Sequence, residues 1–260
     1  MAAEMGAPRF SRWQGALGFM LTELRVQGHE TLALATSMIV QTVFIVFVWV
    51  LNRGLLPYAL LGAVVFSVFQ IGERVTNESA YIRIDHRLTD LYLASPLTPE
   101  AYFLGMATGV MTAFLPPVFV LVALIEVLHP LTWFAALVFA AVLVALWLFA
   151  SAMGYIFSTL FLDSRAIWPY SSLFYNAFGV LPPVFYPYAY WKAIIPHSLE
   201  PLALLLPPSA SAALVTWAEG LPLANLSGGE VAMASVAIVV ESLGLFLFAV
   251  YWARRASRER

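Results

Sequence analysis

The residues of this chain able to do chemistry are few and far apart. His29, His86, His129 and His197 fall in four different segments, and neither an HExxH pair nor a persuasive Ser-His-Asp order accompanies them. There is no cysteine, which excludes thiolate metal sites and disulfides. No GxxxxGK[ST] loop is present to cradle nucleotide phosphates, and Gly228–Gly229 is not followed by such a pattern. One carboxyl stands out. Glu241 has ten uncharged residues before it and twelve after it. An ionisable group in the middle of an apolar helix costs about 3 kcal/mol to insert in a bilayer, so it is expected to face protein or water. It would contact a cationic substrate or hydrogen-bond a neighbouring helix. Ser235 and Ser242 lie on the same stretch, and Gln41 is a candidate partner from another. A second group is aromatic: Phe178, Phe185 and Tyr186 belong to a cluster running from Phe174 to Trp191. Two readings stand for it, an interfacial belt and a gate closing an external mouth.

The elements that must position these residues are membrane helices. The chain of 260 residues is 62% hydrophobic and 11% charged, with mean hydropathy +0.84, whereas a soluble domain carries about 25% charged residues. Uncharged runs cover Thr31–Asn52, Gly54–Ile71, Ala101–Ile125, Val127–Leu162 and Ala166–Trp191. Runs of this length read as spans. Six are expected, at about 31–51, 55–72, 101–125, 131–160, 166–187 and 231–253. The second helix should project past the bilayer toward Asn77, and Pro116–Pro117 should kink the third. Ahead of them, Phe10, Trp13, Leu17, Leu21 and Leu24 recur at three- and four-residue steps, while Arg12, Gln14, Glu23 and Arg25 fall largely elsewhere on the wheel. That pattern predicts an interfacial elbow helix over 9–29, and not a cleavable signal. Between the last two spans, Pro201–Pro207 and Ser209–Trp217 are apolar but too short to cross. They predict re-entrant or interfacial helices in the external segment Tyr188–Glu230, bent at Pro207–Pro208.

Six spans put both termini on one side. All 13 basic residues except Arg53 and Lys192 then share that side, which the positive-inside rule assigns to the cytoplasm. A net charge of −2 leaves no basic surface for nucleic acid. On the cytoplasmic face lies one polar island, Arg87–Glu100, reading RLTDLYLASPLTPE. Leu88, Leu91 and Tyr92 share one helical face, and Arg87, Thr89 and Asp90 offer polar contacts. Ser95-Pro96 should stop this helix, with Thr98 capping the next and Pro99 in its first turn.

This order of parts resembles the permease subunit of type-2 ABC exporters, the ABC-2 family, in its drug- and lipid-export members. The resemblance rests on the elbow, the island Leu91–Thr98 (LYLASPLT), and the proline pattern Gly179, Pro182, Pro183, Pro187, Pro196 and Pro207. It covers about residues 10–253. Arg87-Leu-Thr-Asp90 departs from the family's usual Gly-Thr and Glu, and Leu206-Pro207-Pro208 from its usual Asn-Pro. The resemblance implies an all-α integral membrane fold, with residues 1–260 forming a single transmembrane domain. Arg87, Leu88, Asp90, Leu91, Tyr92 and Ser95 would form a coupling helix that docks in the cleft of a separate ATPase subunit. The chain would do no bond chemistry. ATP and Mg would bind the partner ATPase, in two copies, with a second permease copy completing a homodimer in the plasma membrane. An amphiphile, drug or lipid-like, would be moved out of the cytoplasm, with Glu241, Gln41, Phe178, Phe185 and Tyr186 as substrate or gate residues. The alternatives are export of a glycan- or lipid-linked polysaccharide, and a membrane-embedded lipid-modifying enzyme.

Overall fold

The computed structural model describes residues 12–28, 31–84, 98–161 and 163–256. All regular structure among them is helical. The order is α1 (Arg12–Gly28), α2 (Thr31–Leu51), a 3-10 turn at Arg53–Leu55 and α3 (Leu56–Ile84), followed by α4 (Pro99–Leu128), α5 (Trp133–Thr159) and α6 (Ser164–Val180). Then come the short α7 (Tyr188–Ile194), a 3-10 helix at Glu200–Leu205, α8 (Pro207–Ala218) and α9 (Gly228–Ala256). Among the described residues, four stretches are long and apolar enough to cross a membrane: Arg53–Ile84, Pro99–Leu128, Trp133–Thr159 and Gly228–Arg255. A shorter apolar stretch, Met38–Leu51, lies within α2.

α3 is the axis of the bundle. It packs against α2, α4, α5, α6 and α8. From Tyr58 to Phe69 only Ser67 is not fully buried. Glycines allow one of these neighbours, α5, to approach to backbone distance. A Cβ on Gly154 of α5 would lie 2.2 Å from the Gly72 carbonyl oxygen, and one on Gly72 would lie 2.4 Å from the Ala150 carbonyl oxygen. Small residues at a helix crossing serve in this way where lipid provides no hydrophobic drive. Gly62 admits the chain at Val184, whose carbonyl oxygen would lie 2.1 Å from an added Cβ.

Several boundaries follow from local chemistry. Thr98 caps α4 through Ala101 N–H at 3.3 Å, with Pro99 behind it, as the island's sequence predicts. Thr132 caps α5 in the same way. α4 runs on through Pro116 and Pro117, which remove two intrahelical donors.

The second helix projects past the span end near residue 72, as expected, and runs on beyond Asn77 to Ile84. One expected segment differs. The run expected as one span over 166–187 is helical only to Val180. Pro182 and Pro183 end it, and the following turn dips back so that Val184 and Phe185 are buried against α2 and α3. The expected broken helices of the external segment are present as the 3-10 helix and α8. α8 lies within the bundle, against α5, α9 and α3, with every residue from Pro207 to Thr216 buried.

Ion pairs mark the two ends. At one, Arg254 pairs with Glu100, and Arg83 donates to the carbonyls of Ser158 and Phe161. At the other, Lys192 meets Glu230 at 2.7 Å, His129 approaches Glu219 at 3.6 Å, and the Tyr58 hydroxyl accepts from Leu223 N–H at 2.8 Å.

Candidate functional site

The polar residues of α3 fall on one stripe. Ser67, Gln70, Arg74 and Asn77 are spaced three, four and three residues apart, which places them on a single face. Glu73 lies beside them. The stripe lines a cavity of about 170 Å³. α2 contributes Met38, Val40 and Gln41; α4 contributes Phe114, Pro117 and Val118; Trp168 of α6 closes the remaining side.

The cavity's depth follows from helix length. α3 has 29 residues, or about 44 Å at 1.5 Å per residue, whereas the hydrocarbon core is about 30 Å thick. Arg74 and Asn77 lie about that far along the axis from Leu56, toward the end that carries Arg83 and the Arg254–Glu100 pair, and Gln70 lies one turn closer to the middle.

Its polar groups are partly satisfied. The Gln41 side-chain amide donates to Gln70 Oε1 at 3.1 Å. Gln41 is 2% exposed, and its own Oε1 is buried without a donor. Asn77 Oδ1 accepts from the Ser171 hydroxyl at 3.0 Å, tying α3 to α6. The Arg74 guanidinium lies 5.3 Å from the centre of the Phe114 ring, a stacking that suits a weakly hydrated cation.

No protein-family model and no curated protein matches the chain. The site's chemistry therefore rests on its own side chains.

Of the residues singled out by sequence, the cavity gathers Gln41 alone. Gln41 turns to Gln70 of α3 and not to Glu241. Glu241 is half-buried on α9, away from the cavity, and makes no hydrogen bond with the other described residues. Phe185 is a core residue, stacked on Phe44 at 4.7 Å and edge-on to Phe66 at 5.3 Å. Phe178 is exposed and packs on Phe174 at 4.6 Å. Tyr186 is half-buried and donates to the Leu181 carbonyl at 2.8 Å. Arg87, Leu88, Asp90, Leu91, Tyr92 and Ser95 lie outside the described residues. Arg74, Gln70, Glu73 and Asn77 were missed. The signal was available as the 67-70-74-77 spacing within an apolar stretch, but Glu73 and Arg74 read as the end of a span.

α1 is the second feature at this end. It seats in the groove made by Gly105 and Gly109 of α4, where added Cβ atoms would lie 2.7 Å from the Ala16 carbonyl oxygen and 2.6 Å from Glu23 Cβ. Phe19 and Glu23 are buried on this seat, while Trp13, Leu17 and Leu21 are exposed. Of the expected apolar face, these three are outward, whereas Leu24 is partly buried against the core. Glu23, which the helical wheel placed among the polar residues, is buried. Burial, with Glu78 nearby, pushes its carboxyl pKa up to about 8. Phe10 lies outside the described residues.

Proposed function

We propose that this chain is the membrane subunit of an ATP-driven exporter, built on the ABC-2 plan, that moves an amphiphile out of the cytoplasm. The observation that carries this reading is the cavity itself, a polar and charged chamber walled by apolar helices at one membrane interface. Such a chamber suits binding of an amphiphile's headgroup from the adjoining leaflet, and exposed Val40 and Trp168 at its rim leave room for the tail in lipid. Export then requires that the chamber bind its cargo differently in two states.

In this reading α2 and α6 are also spans. α2, with 21 residues, is about 31 Å long. α6 completes its crossing with the turn at residues 181–187. Six spans put both termini, Arg83, Arg165 and Arg254 in the cytoplasm of a plasma membrane. Residues 87–95 connect α3 to α4 on that side and form the helix that docks on the ATPase. Two ATPase chains and a second permease copy complete the assembly, and the ATPase chains bind the ATP and Mg.

The test is Leu91→Asp, which puts a carboxylate on the apolar face of the docking helix, where its burial is costly. The expected outcome is an inserted, monodisperse permease that no longer co-purifies with, or stimulates, an ATPase encoded beside it. Wild-type co-purification and transport by Leu91→Asp would defeat the docking assignment. ATP turnover by the purified single chain would defeat the division of labour. Lipid modification by that chain, with no ATPase needed, would favour a membrane-embedded enzyme instead.

A further inference from the structure

The cavity holds a cation without a salt bridge and an acceptor without a donor among the described residues. Arg74 has no carboxylate within salt-bridge distance among them. Glu73, the adjacent residue, lines the same cavity, interacts electrostatically with Arg74 and meets the Ser172 hydroxyl. The guanidinium packs on the Phe114 face, and no hydrogen bond ties it to the other described residues. About 6 Å deeper, one helical turn along α3, the buried Gln41 Oε1 lacks a donor. A guanidinium with free N–H groups matches a phosphate, and a lone amide oxygen matches a hydroxyl. A volume of about 170 Å³ holds a headgroup, whereas sites for whole drug-sized molecules run to about 300–1,000 Å³.

We propose that this cavity binds the headgroup of a phosphate-bearing amphiphile, with the phosphate on Arg74, a hydroxyl on Gln41 and the tail leaving between Val40 and Trp168. The assignment rests on the export reading for its purpose, but not for its chemistry. Phosphate at Arg74 sits at the interface, where headgroup phosphates lie. The apolar walls, Phe114, Pro117 and Val118, flank the path of the first methylenes.

The probe is 1-oleoyl lysophosphatidic acid, which has a phosphate monoester and one free hydroxyl. Monoolein shares its glycerol and chain but lacks phosphate, and glycerol 3-phosphate has the headgroup without the chain. Native mass spectrometry of the purified permease in dodecyl maltoside reads the bound fraction. The wild type should retain one lysophosphatidic acid and no monoolein. Arg74→Gln should lower retention at least tenfold, Arg74→Lys should keep most of it, and Gln41→Leu should weaken it less than Arg74→Gln does. Equal retention by Arg74→Gln, or retention of monoolein, would overturn the proposal. Displacement by an equal concentration of glycerol 3-phosphate would overturn the amphiphile and leave a free phosphate ester as occupant. A photoreactive lysophosphatidic acid on the wild type needs no variant to fold. It should mark Met38–Phe44, Phe114 or Trp168, and marks confined to other segments would place the site elsewhere. No arm measures transport or ATP hydrolysis, so failure to find an ATPase partner would sink the export reading and leave this assay intact.

Discussion

α3 and α9 are each 29 residues long, each apolar enough to span a bilayer, and each carries ionisable residues within its length. Their surroundings are opposite. Within their apolar stretches, 67% of α3 is buried against 17% of α9. On α3, polar residues face other helices across a cavity and are bonded in part. On α9, Glu241 sits beside an outward face of Val236, Val239, Val240, Leu243 and Leu247, all exposed. Hydropathy alone ranks the two helices alike. What separates them is the neighbour that each presents to its polar groups. A polar residue with a partner is part of a site, whereas one without a partner bears the insertion cost alone.

The contrast is sharpest at glycine. Gly154→Ala forces a methyl to 2.2 Å from the Gly72 carbonyl oxygen, backbone against backbone, which no rotamer can relieve. It should cost about 3 kcal/mol and lower the melting temperature of the detergent-solubilised protein sharply. Gly244→Ala on α9 meets nothing within 4 Å, so it should be neutral or gain up to about 1 kcal/mol of helix propensity. Equal melting temperatures for the two variants would abolish the distinction between axis and periphery.

Much of this framework was legible in the sequence because it depends on local chemistry. Thr98-Pro99 at the start of α4 and Pro207–Pro208 at the start of α8 act through caps and missing donors, and both lie where the pattern put them. The misreadings share one cause. Glu73 and Arg74 were read only as the end of a span, because hydropathy does not show that they line a cavity between helices. Glu23 was assigned to a polar face, because a wheel does not reveal that Gly105 and Gly109 of α4 offer a groove there. Gln41 was read as a candidate partner for Glu241, but the register of α2 on α3, which supplies Gln70 instead, is a tertiary fact. The cavity was illegible for the same reason, since its walls come from four helices.

α1 gives a comparison of intermediate size. Glu23 is held in a protein seat, unlike Glu241, and its carboxyl pKa is raised to about 8. The folded state therefore keeps its proton more tightly than the unfolded chain, whose carboxyl titrates near 4.5. Stability is unaffected by this group below about pH 4.5 and is progressively lost as pH rises to about 8. Docking of α1 on α4 should loosen over that window, and Glu23→Gln should flatten the dependence and stabilise the protein at pH 8. The measurement is protection of the Ala16–Glu23 backbone amides from hydrogen exchange at pH 6 and pH 8, with exchange times scaled for intrinsic rate. Identical protection in wild type at both pH values would show that the Glu23 proton does not control the seat.

The smallest effect is expected at Glu241, and it tests the comparison most directly. The residue stands at the midpoint of α9, half-buried, without a hydrogen bond to the other described residues. If α3 is the helix whose polar groups are used and α9 is the one whose carboxyl is not, removing that carboxyl should do no harm. Glu241→Leu gives up a group that costs about 3 kcal/mol to insert, so folded yield and melting temperature should match or slightly exceed those of the wild type. Glu241→Gln should fall between them. Cation export should be the same in all three. Gln70→Leu, by contrast, leaves the Gln41 amide N–H without its acceptor and should melt lower by about 1–3 kcal/mol. A steep loss of folded protein in Glu241→Leu, rescued by Glu241→Gln, would mean that a polar partner from outside this protomer covers α9. That result would move α9 into the same class as α3, as a helix whose polar residue has a neighbour to serve it.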